Sequence, residues 1–218
     1  MSKRFLVVTL TVAATFASFS AFAASTTFSD RDAFLNAGGE ATNHTTPAIA
    51  KRTSPAAISD GLTITPTSSN FFSIANSPSG IPNALVFSDR SGENFNAILD
   101  EAVFGFGFDV FEPVTASLCN TATCIASTFQ VSLFNGSNLV GSTSFTPLPS
   151  DTETTFFGII STAQFDLLAV RETTGTNDNE SFGNFTSVSA VPLPAPFALL
   201  LAGVGALISL RRWRPRTA

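Results

Sequence analysis

A stretch near the middle of the chain alternates phenylalanine with glycine and reads VFGFGFDVF. Successive side chains of a β-strand point to opposite faces, so Phe104, Phe106 and Phe108 share one face and Gly105 and Gly107 share the other. Three rings on one face need a hydrophobic core to bury them. Two glycines on the opposite face let another backbone approach closely. The stretch therefore predicts a central core strand.

Short apolar or alternating segments separated by turn residues follow the same pattern elsewhere in the chain. Asn135-Gly136-Ser137-Asn138 is a hairpin signal between two of them. The other predicted strands are residues 62–65, 71–74, 84–87, 129–134, 139–145, 156–160, 165–171 and 182–188. The pattern predicts an all-β fold, an antiparallel β-sandwich of jelly-roll-like type.

One short helix is predicted near the start of this domain. Ser29 or Asp30 can cap its first turn, and the Gly38-Gly39 pair ends it. Residues 40–59 show no clear period and contain two prolines, so we expect an irregular loop there.

Residues 1–23 have the features of a secretory signal peptide. Lys3 and Arg4 form a charged start, an apolar segment follows, and a small-x-small pattern ends at Ala23. We expect signal peptidase to cut between Ala23 and Ala24 after the secretion machinery has exported the chain.

The last 28 residues combine three unlike pieces. Three prolines keep the start of the segment extended, because proline lacks an amide donor and fixes φ. An uncharged apolar run at residues 196–210 then predicts a single transmembrane helix, and the basic cluster that follows it places the C-terminus in the cytoplasm. The motif is Val191-Pro192-Leu193-Pro194-Ala195, and the cluster at 211–216 contains Arg211, Arg212, Arg214 and Arg216.

This three-part tail resembles the PEP-CTERM sorting signal of Gram-negative bacteria in its VPLPA-type variant. The resemblance covers residues 191–218 and implies processing by an exosortase near residues 191–195. It also implies transient anchoring in the inner membrane, followed by delivery to the cell surface or extracellular matrix. Leu193 stands where the commoner form has glutamate, so the exosortase subtype stays open.

The body also resembles the β-sandwich domains that often precede such tails. The segments that carry this resemblance are residues 27–34, 105–110, 156–161 and 180–185. It implies a fold and a location, and it supplies no catalytic residues.

Residues 24–190 are long enough for one domain with a sizeable core. They hold five basic and sixteen acidic residues, a net charge of −11, which argues against a nucleic-acid partner. The whole chain has 23 phenylalanines, no tyrosine and one tryptophan, Trp213 in the tail. Because stacking platforms for sugars usually use tryptophan and tyrosine, this composition counts against a stacking-type carbohydrate site.

Few other side chains suggest a disulfide, a metal site or a catalytic group. Cys119 and Cys124, the only cysteines, predict a disulfide that closes a short loop in an oxidising compartment. Asp178, Glu180 and Asp109 are the carboxylates we consider for calcium, although solvated turns are the plainer interpretation. The single histidine, His44, is predicted to be a solvated loop residue.

Two functional hypotheses remain. The first is a non-enzymatic exported protein with a structural or adhesive role in exopolysaccharide or biofilm, without a cofactor. The second is a carbohydrate-binding or carbohydrate-cleaving module on the same sandwich. No Gly-x-Ser-x-Gly, His-Glu-x-x-His or phosphate loop occurs in the sequence.

Overall fold

A computed structural model describes residues 23–47, 56–67, 72–75, 81–87, 93–115, 124–174 and 180–189. Within these ranges every strand pairing is antiparallel. The elements in chain order are β1 (Ser25–Phe28), α1 (Arg31–Gly38), β2 (Ala41–His44), β3 (Ala56–Ser59), β4 (Leu62–Pro66), β5 (Phe72–Ala75), β6 (Ala84–Phe87), β7 (Phe95–Phe111), β8 (Thr128–Asn135), β9 (Asn138–Phe145), β10 (Thr155–Thr174) and β11 (Ser181–Val188).

Two long strands, β7 and β10, each run through both layers of the molecule. Their pairing changes register between Ile160 and Leu167, and this irregularity marks the corner where both strands change layer. The first half of β7 and the second half of β10 lie in sheet A, together with β3, β4, β8 and β9. The remaining halves lie in sheet B with β1, β2, β5, β6 and β11.

The two sheets pack face to face over a core that is rich in phenylalanine. Phe182 of sheet B lies 5.0 Å from Phe95 and 5.6 Å from Phe129 of sheet A, measured between ring centroids. Phe108 contacts rings on both sheets, including Phe145 at 5.9 Å. Edge-to-face pairs of this kind are favourable because the positive edge of one ring lies against the negative face of the other. The prediction of an antiparallel β-sandwich with one short helix is confirmed.

The predicted core strand is part of β7, with one change. Phe106 and Phe108 are fully buried in the core between the sheets, whereas Phe104 is only half-buried. The register shift at the corner is the reason, because it places Val103 rather than Phe104 in the core. The prediction for Phe104 was therefore wrong.

The glycine face of β7 receives side chains, and the carbonyl oxygens of Ile159 and Phe157 also lie close to it. Gly107 lies against the ring of Phe156, and Gly105 lies near Phe34 of α1. Phe34 and Phe156 are 5.5 Å apart and, with Ile160 and Val188, form a second small core on the outside of sheet B. The glycines allow this close approach because they carry no Cβ.

Helix α1 begins where its capping residue predicts. The Asp30 carboxylate accepts a hydrogen bond from the amide of Ala33 at 2.7 Å, and Gly39 ends the helix with a φ of 87°. The loop predicted for residues 40–59 was wrong in part, because it contains β2 and β3. Both strands have only four residues. Because β2 exposes three of its side chains, no alternation of buried and exposed residues indicates this strand in the sequence.

Candidate functional site

The outward face of sheet A lies away from α1, which packs on sheet B. Four apolar side chains on four neighbouring strands form a band across this face: Ile98, Leu167, Phe134 and Leu139. Leu167 is in register with Ile98 on one side and with Phe134 on the other, and Phe134 is in register with Leu139. Ile98 is 40% exposed and Leu139 is 43% exposed. At ~4.8 Å per strand the apolar band is about 14 Å long.

Hydrogen-bonding side chains form two parallel rows, both on the same side of the apolar band. One row crosses β4, β7, β8 and β9 through Thr65, Asn96, Ser132 and Ser142, with Ala169 of β10 in the middle. The other row runs through Arg171, Gln130 and Ser144. The hydroxyl groups of Ser132 and Ser142 lie 3.4 Å apart. We call these the polar rows.

Arg171 is held in place by its neighbours on the same face. Its Nη1 donates to the carbonyl oxygens of Phe95 and Val170, each at 2.7 Å. Its Nη2 donates to Oδ1 of Asn96 at 2.6 Å. The guanidinium group therefore fixes the side chain of Asn96 and links one member of each polar row.

His44 lines two neighbouring shallow clefts. One cleft, of about 280 Å³, is lined by Arg31, Asn43 and Asn184 among others. The other, of about 350 Å³, carries the carboxylates Asp60, Asp100 and Glu101. After the outward face of sheet A, these clefts are the second candidate binding surface of the described residues.

The histidine itself is structural rather than solvated, contrary to the prediction. His44 is 4% exposed, because β2 pairs with β11 and turns the ring inward. Nδ1 lies 2.6 Å from the Ser59 hydroxyl and Nε2 lies 2.9 Å from the Ser187 hydroxyl. Burial lowers the pKa of His44. With a serine at each ring nitrogen, no carboxylate orients the imidazole as a Ser-His-Asp triad requires.

Asp109, one of the carboxylates considered for calcium, has a different partner. Its Oδ1 forms an ion pair with Nη2 of Arg31 at 2.9 Å, and its Oδ2 accepts a hydrogen bond from Asn184 at 2.7 Å. The Arg31 guanidinium also lies over the ring of Phe156, 4.5 Å from its centroid. Asp109 thus ties α1 to sheet B, which leaves its oxygens committed to these donors.

Glu180 is fully buried, so the interpretation that its carboxylate lies in a solvated turn was wrong, and Glu112 is fully buried as well. Both face the interior at one end of the sandwich, together with Glu93 and Glu172. Sequence reasoning did not single out the latter two, because no spacing links residues 93, 112, 172 and 180. Asp178 lies outside the described residues.

The sorting signal, comprising the motif at 191–195, the helix at 196–210 and the arginines at 211–216, also lies outside the described residues. Within the described ranges no helix has the length and hydropathy needed to cross a membrane. Cys119 is outside them as well, so the disulfide with Cys124 stays a prediction. The described chain begins at Ala23, whose amide donates to the carbonyl of Val140 at 3.1 Å.

The fold and its surfaces define a β-sandwich domain in which a helix covers one sheet face, while no element of the described residues covers the other. No family model matches the sequence, and no curated protein matches it.

Among solved structures, the chain is similar to a point variant of CBM29-2, a family 29 carbohydrate-binding module. The identity is 14% and the TM-score 0.44, over 70% of this chain and 94% of that one. A second variant of CBM29-2, complexed with mannohexaose, gives 15% identity and a TM-score of 0.42 over 70% and 94% of the two chains. The chain is also similar to the family 11 carbohydrate-binding module of a cellulosomal cellulase of Clostridium thermocellum. The identity is 10% and the TM-score 0.34, over 68% of this chain and 99% of that one.

Proposed function

We propose that this chain is a non-catalytic carbohydrate-binding protein that acts at the cell surface or in the extracellular matrix. The observation that carries this proposal is the open face of sheet A, where the apolar band runs across the strands beside the polar rows. A polysaccharide laid along the band, across the strands, would contact both.

The chemistry of the face fits a sugar polymer. A pyranose ring offers apolar C–H groups on its faces and hydroxyl groups around its edge. The band supplies contact for the first, with Phe134 as its aromatic member, and the polar rows supply donors and acceptors for the second. Binding sites of small ligands combine a mainly apolar lining with a few placed polar groups in the same way.

The proposed mode relies on hydrogen bonds more than on ring stacking. Phe134 is half-buried, and no tyrosine occurs in the chain, so the face lacks a row of wide aromatic platforms. Ser132, Ser142, Gln130 and Asn96 recognise hydroxyl groups from a rigid sheet, which limits the entropy lost on binding. Affinity for a single sugar is expected to be weak and to rise with chain length, because each added unit reaches a further strand.

A catalytic role has less support in the geometry. Cleavage of a glycosidic bond uses two carboxylates that flank the bond. On the open face the positions in register with the apolar band and the polar rows hold hydroxyl, amide, guanidinium and apolar side chains. The ligand would therefore be held and not cut.

The location is part of the proposal and depends on the two ends of the chain. The signal peptide would export the body, and the tail would hold it in the inner membrane until an exosortase cuts near residues 191–195. A binding domain delivered in this way would attach the cell to exopolysaccharide. This attachment is the adhesive role that we propose.

Binding is tested with the full-length chain on an array of neutral and acidic polysaccharides, followed by calorimetry with the best ligand. Phe134→Ala removes the aromatic member of the band, and we expect it to weaken binding on the order of tenfold through lost apolar contact. Gln130→Ala, on the second polar row, should weaken it several-fold by removing one hydrogen bond.

Leu148→Ala is the matched control. Leu148 is 66% exposed and lies beyond β9, off the open face, so its removal should leave affinity unchanged. Saturable binding that survives Phe134→Ala and Gln130→Ala in folded protein would place the site elsewhere. Absence of binding to every polysaccharide would reject the function, and release of reducing ends would show that the protein is an enzyme.

A further inference from the structure

Five residues that are far apart in the sequence meet at one end of the sandwich. Glu93 precedes β7, Glu112 follows it, Ser127 precedes β8, Glu172 lies near the end of β10 and Glu180 precedes β11. Antiparallel pairing brings these strand ends together, and Glu93, Glu112, Ser127 and Glu180 are all at most 1% exposed. We call this set the glutamate pole.

Ser127 lies at the centre of the glutamate pole. Its amide donates to Oε1 of Glu112 at 3.1 Å, and its hydroxyl contacts Oε1 of Glu172 at 3.2 Å. The same hydroxyl is in short contact with Oε1 of Glu180. A hydroxyl has one proton, so it can donate to only one of these two carboxylates, and the other oxygen faces the Ser127 oxygen directly.

The carboxylates are also linked through the backbone. The amide of Glu180 donates to Oε1 of Glu93, and the amide of Glu93 donates to Oε2 of Glu172, each at 3.1 Å. These bonds fix the positions of the side chains but supply no positive charge. Burial raises the pKa of the Glu172 carboxyl, and the negative charge of Glu180 adds to this effect.

One atom of the glutamate pole points to a ligand. Oε2 of Glu180 is buried and makes no hydrogen bond among the described residues, although the side chain is 0% exposed. A buried carboxylate oxygen without a donor destabilises the fold unless a cation or proton compensates it. The other oxygen of the same carboxylate, Oε1, contacts the Ser127 hydroxyl, which also contacts Oε1 of Glu172.

We propose that the glutamate pole binds a divalent cation, calcium, through the carboxylates of Glu180 and Glu172 and the hydroxyl of Ser127. All three supply hard oxygen ligands, and Ca²⁺ accepts six to eight of these in a flexible shell that includes carbonyl oxygens and water. The ion would replace like-charge repulsion by attraction and would join sheet A to sheet B at this end.

The described side chains do not form a finished shell. No group of three or more histidine, cysteine, aspartate or glutamate side chains in the described part of the chain is arranged to hold a metal ion. One hydroxyl group already contacts two carboxylates here, and water or backbone carbonyls would complete the coordination of the ion. Calcium tolerates such mixed shells better than Mg²⁺, which demands near-ideal octahedral geometry.

The test uses the full-length chain, freed of metal with a chelator, at pH 7.5. Calorimetric titration with CaCl₂ should show one site, and Ca²⁺ at 100 times its Kd should raise Tm by roughly 5–10 °C. The same concentration of MgCl₂ should raise Tm much less. Glu180→Gln keeps the shape and the bond to Ser127 but removes the charge, so it should abolish the calcium-dependent rise in Tm.

Glu180→Gln also separates ion binding from a purely structural role. Without calcium this variant should be at least as stable as the wild type, because it relieves repulsion with Glu172. The control is Glu101→Gln, which alters an exposed glutamate in the cleft near His44 and should leave the calcium response intact. No heat and no shift in Tm with CaCl₂ for the wild type, or a full response in Glu180→Gln, would overturn the proposal.

Discussion

At the scale of single residues, His44 shows how burial sets a charge state. Its ring is enclosed between β2 and β11 and bonded to Ser59 and Ser187, and burial lowers its pKa from the ordinary 6.5. The folded protein therefore prefers the neutral imidazole more strongly than the unfolded chain does.

The consequence is a loss of stability in mild acid. A group whose pKa is lower in the folded state contributes stability that is complete above the unfolded value of 6.5. That contribution disappears as the pH falls through the folded-state pKa. We expect the free energy of unfolding in urea to decrease from pH 7.5 to pH 5.5 in the wild type, and to decrease less in His44→Gln.

The difference between the two proteins isolates the histidine. The raised pKa of Glu172 acts in the opposite direction, since a neutral carboxyl favours the folded state at low pH, but it is present in both proteins. The nearby carboxylates Asp60, Asp100 and Glu101 are also common to both. If the free energy of unfolding changes equally with pH in the wild type and in His44→Gln, then His44 does not cause the loss of stability in mild acid.

Burial of single polar residues was the part least accessible from the sequence. His44 and Glu180 both occur in polar surroundings along the chain, which favoured solvent-exposed positions. Their burial comes from partners about 140 and 50 residues away, Ser187 and Ser127, and no local pattern records such pairs. The strands at residues 129–134 and 139–145, by contrast, were predicted, and in the structure Gln130, Ser132, Ser142 and Ser144 lie on one polar face of β8 and β9.

At the scale of elements, α1 and sheet B fit together through glycine. A Cβ on Gly107 would lie 2.6 Å from Cζ of Phe156 and 3.1 Å from the carbonyl oxygen of Phe157. Phe156 cannot move freely, because Phe34 and Arg31 pack against its ring. Gly107→Ala is therefore expected to cost about 1–3 kcal/mol in free energy of unfolding, measured by urea denaturation.

Gly141→Ala serves as the comparison. Its added Cβ would meet only the Cδ1 atom of Leu133, at an ordinary 3.6 Å. The stability should stay the same or rise slightly, because alanine restricts the unfolded chain. Equal effects of the two substitutions would mean that loss of glycine itself, and not the contact with Phe156, is responsible.

Elements with a local signal were predicted, and elements defined by distant pairing were not. The hairpin at residues 135–138 joins β8 and β9 as expected, with Gly136 at a φ of 58°. The segments 156–160 and 165–171 were predicted as separate strands, but they are the two halves of β10. Continuity through the corner depends on the partner β7, which bends at the same level.

At the scale of the whole molecule, the tail predicts a processing event. If an exosortase cuts near residues 191–195, mass spectrometry of the surface fraction should find peptides of the body but none from residues 197–218. Pro192→Ala combined with Pro194→Ala should keep the tail and retain the protein in the inner-membrane fraction, because the extended motif is lost. An intact tail on surface-located wild-type protein would contradict the sorting proposal.

The position of β11 has a consequence for the timing of folding. This strand is the last that the described residues contain, yet it lies inside sheet B, between β7 on one side and β6 and β2 on the other. A chain that emerges from a secretion channel with its amino end first cannot close that sheet until residue 188 has passed through. Until then one edge of β7 stays open to other chains, as unpaired strand edges do. If the chain is exported as proposed, the fold would be completed only a few residues before the segment expected to halt translocation.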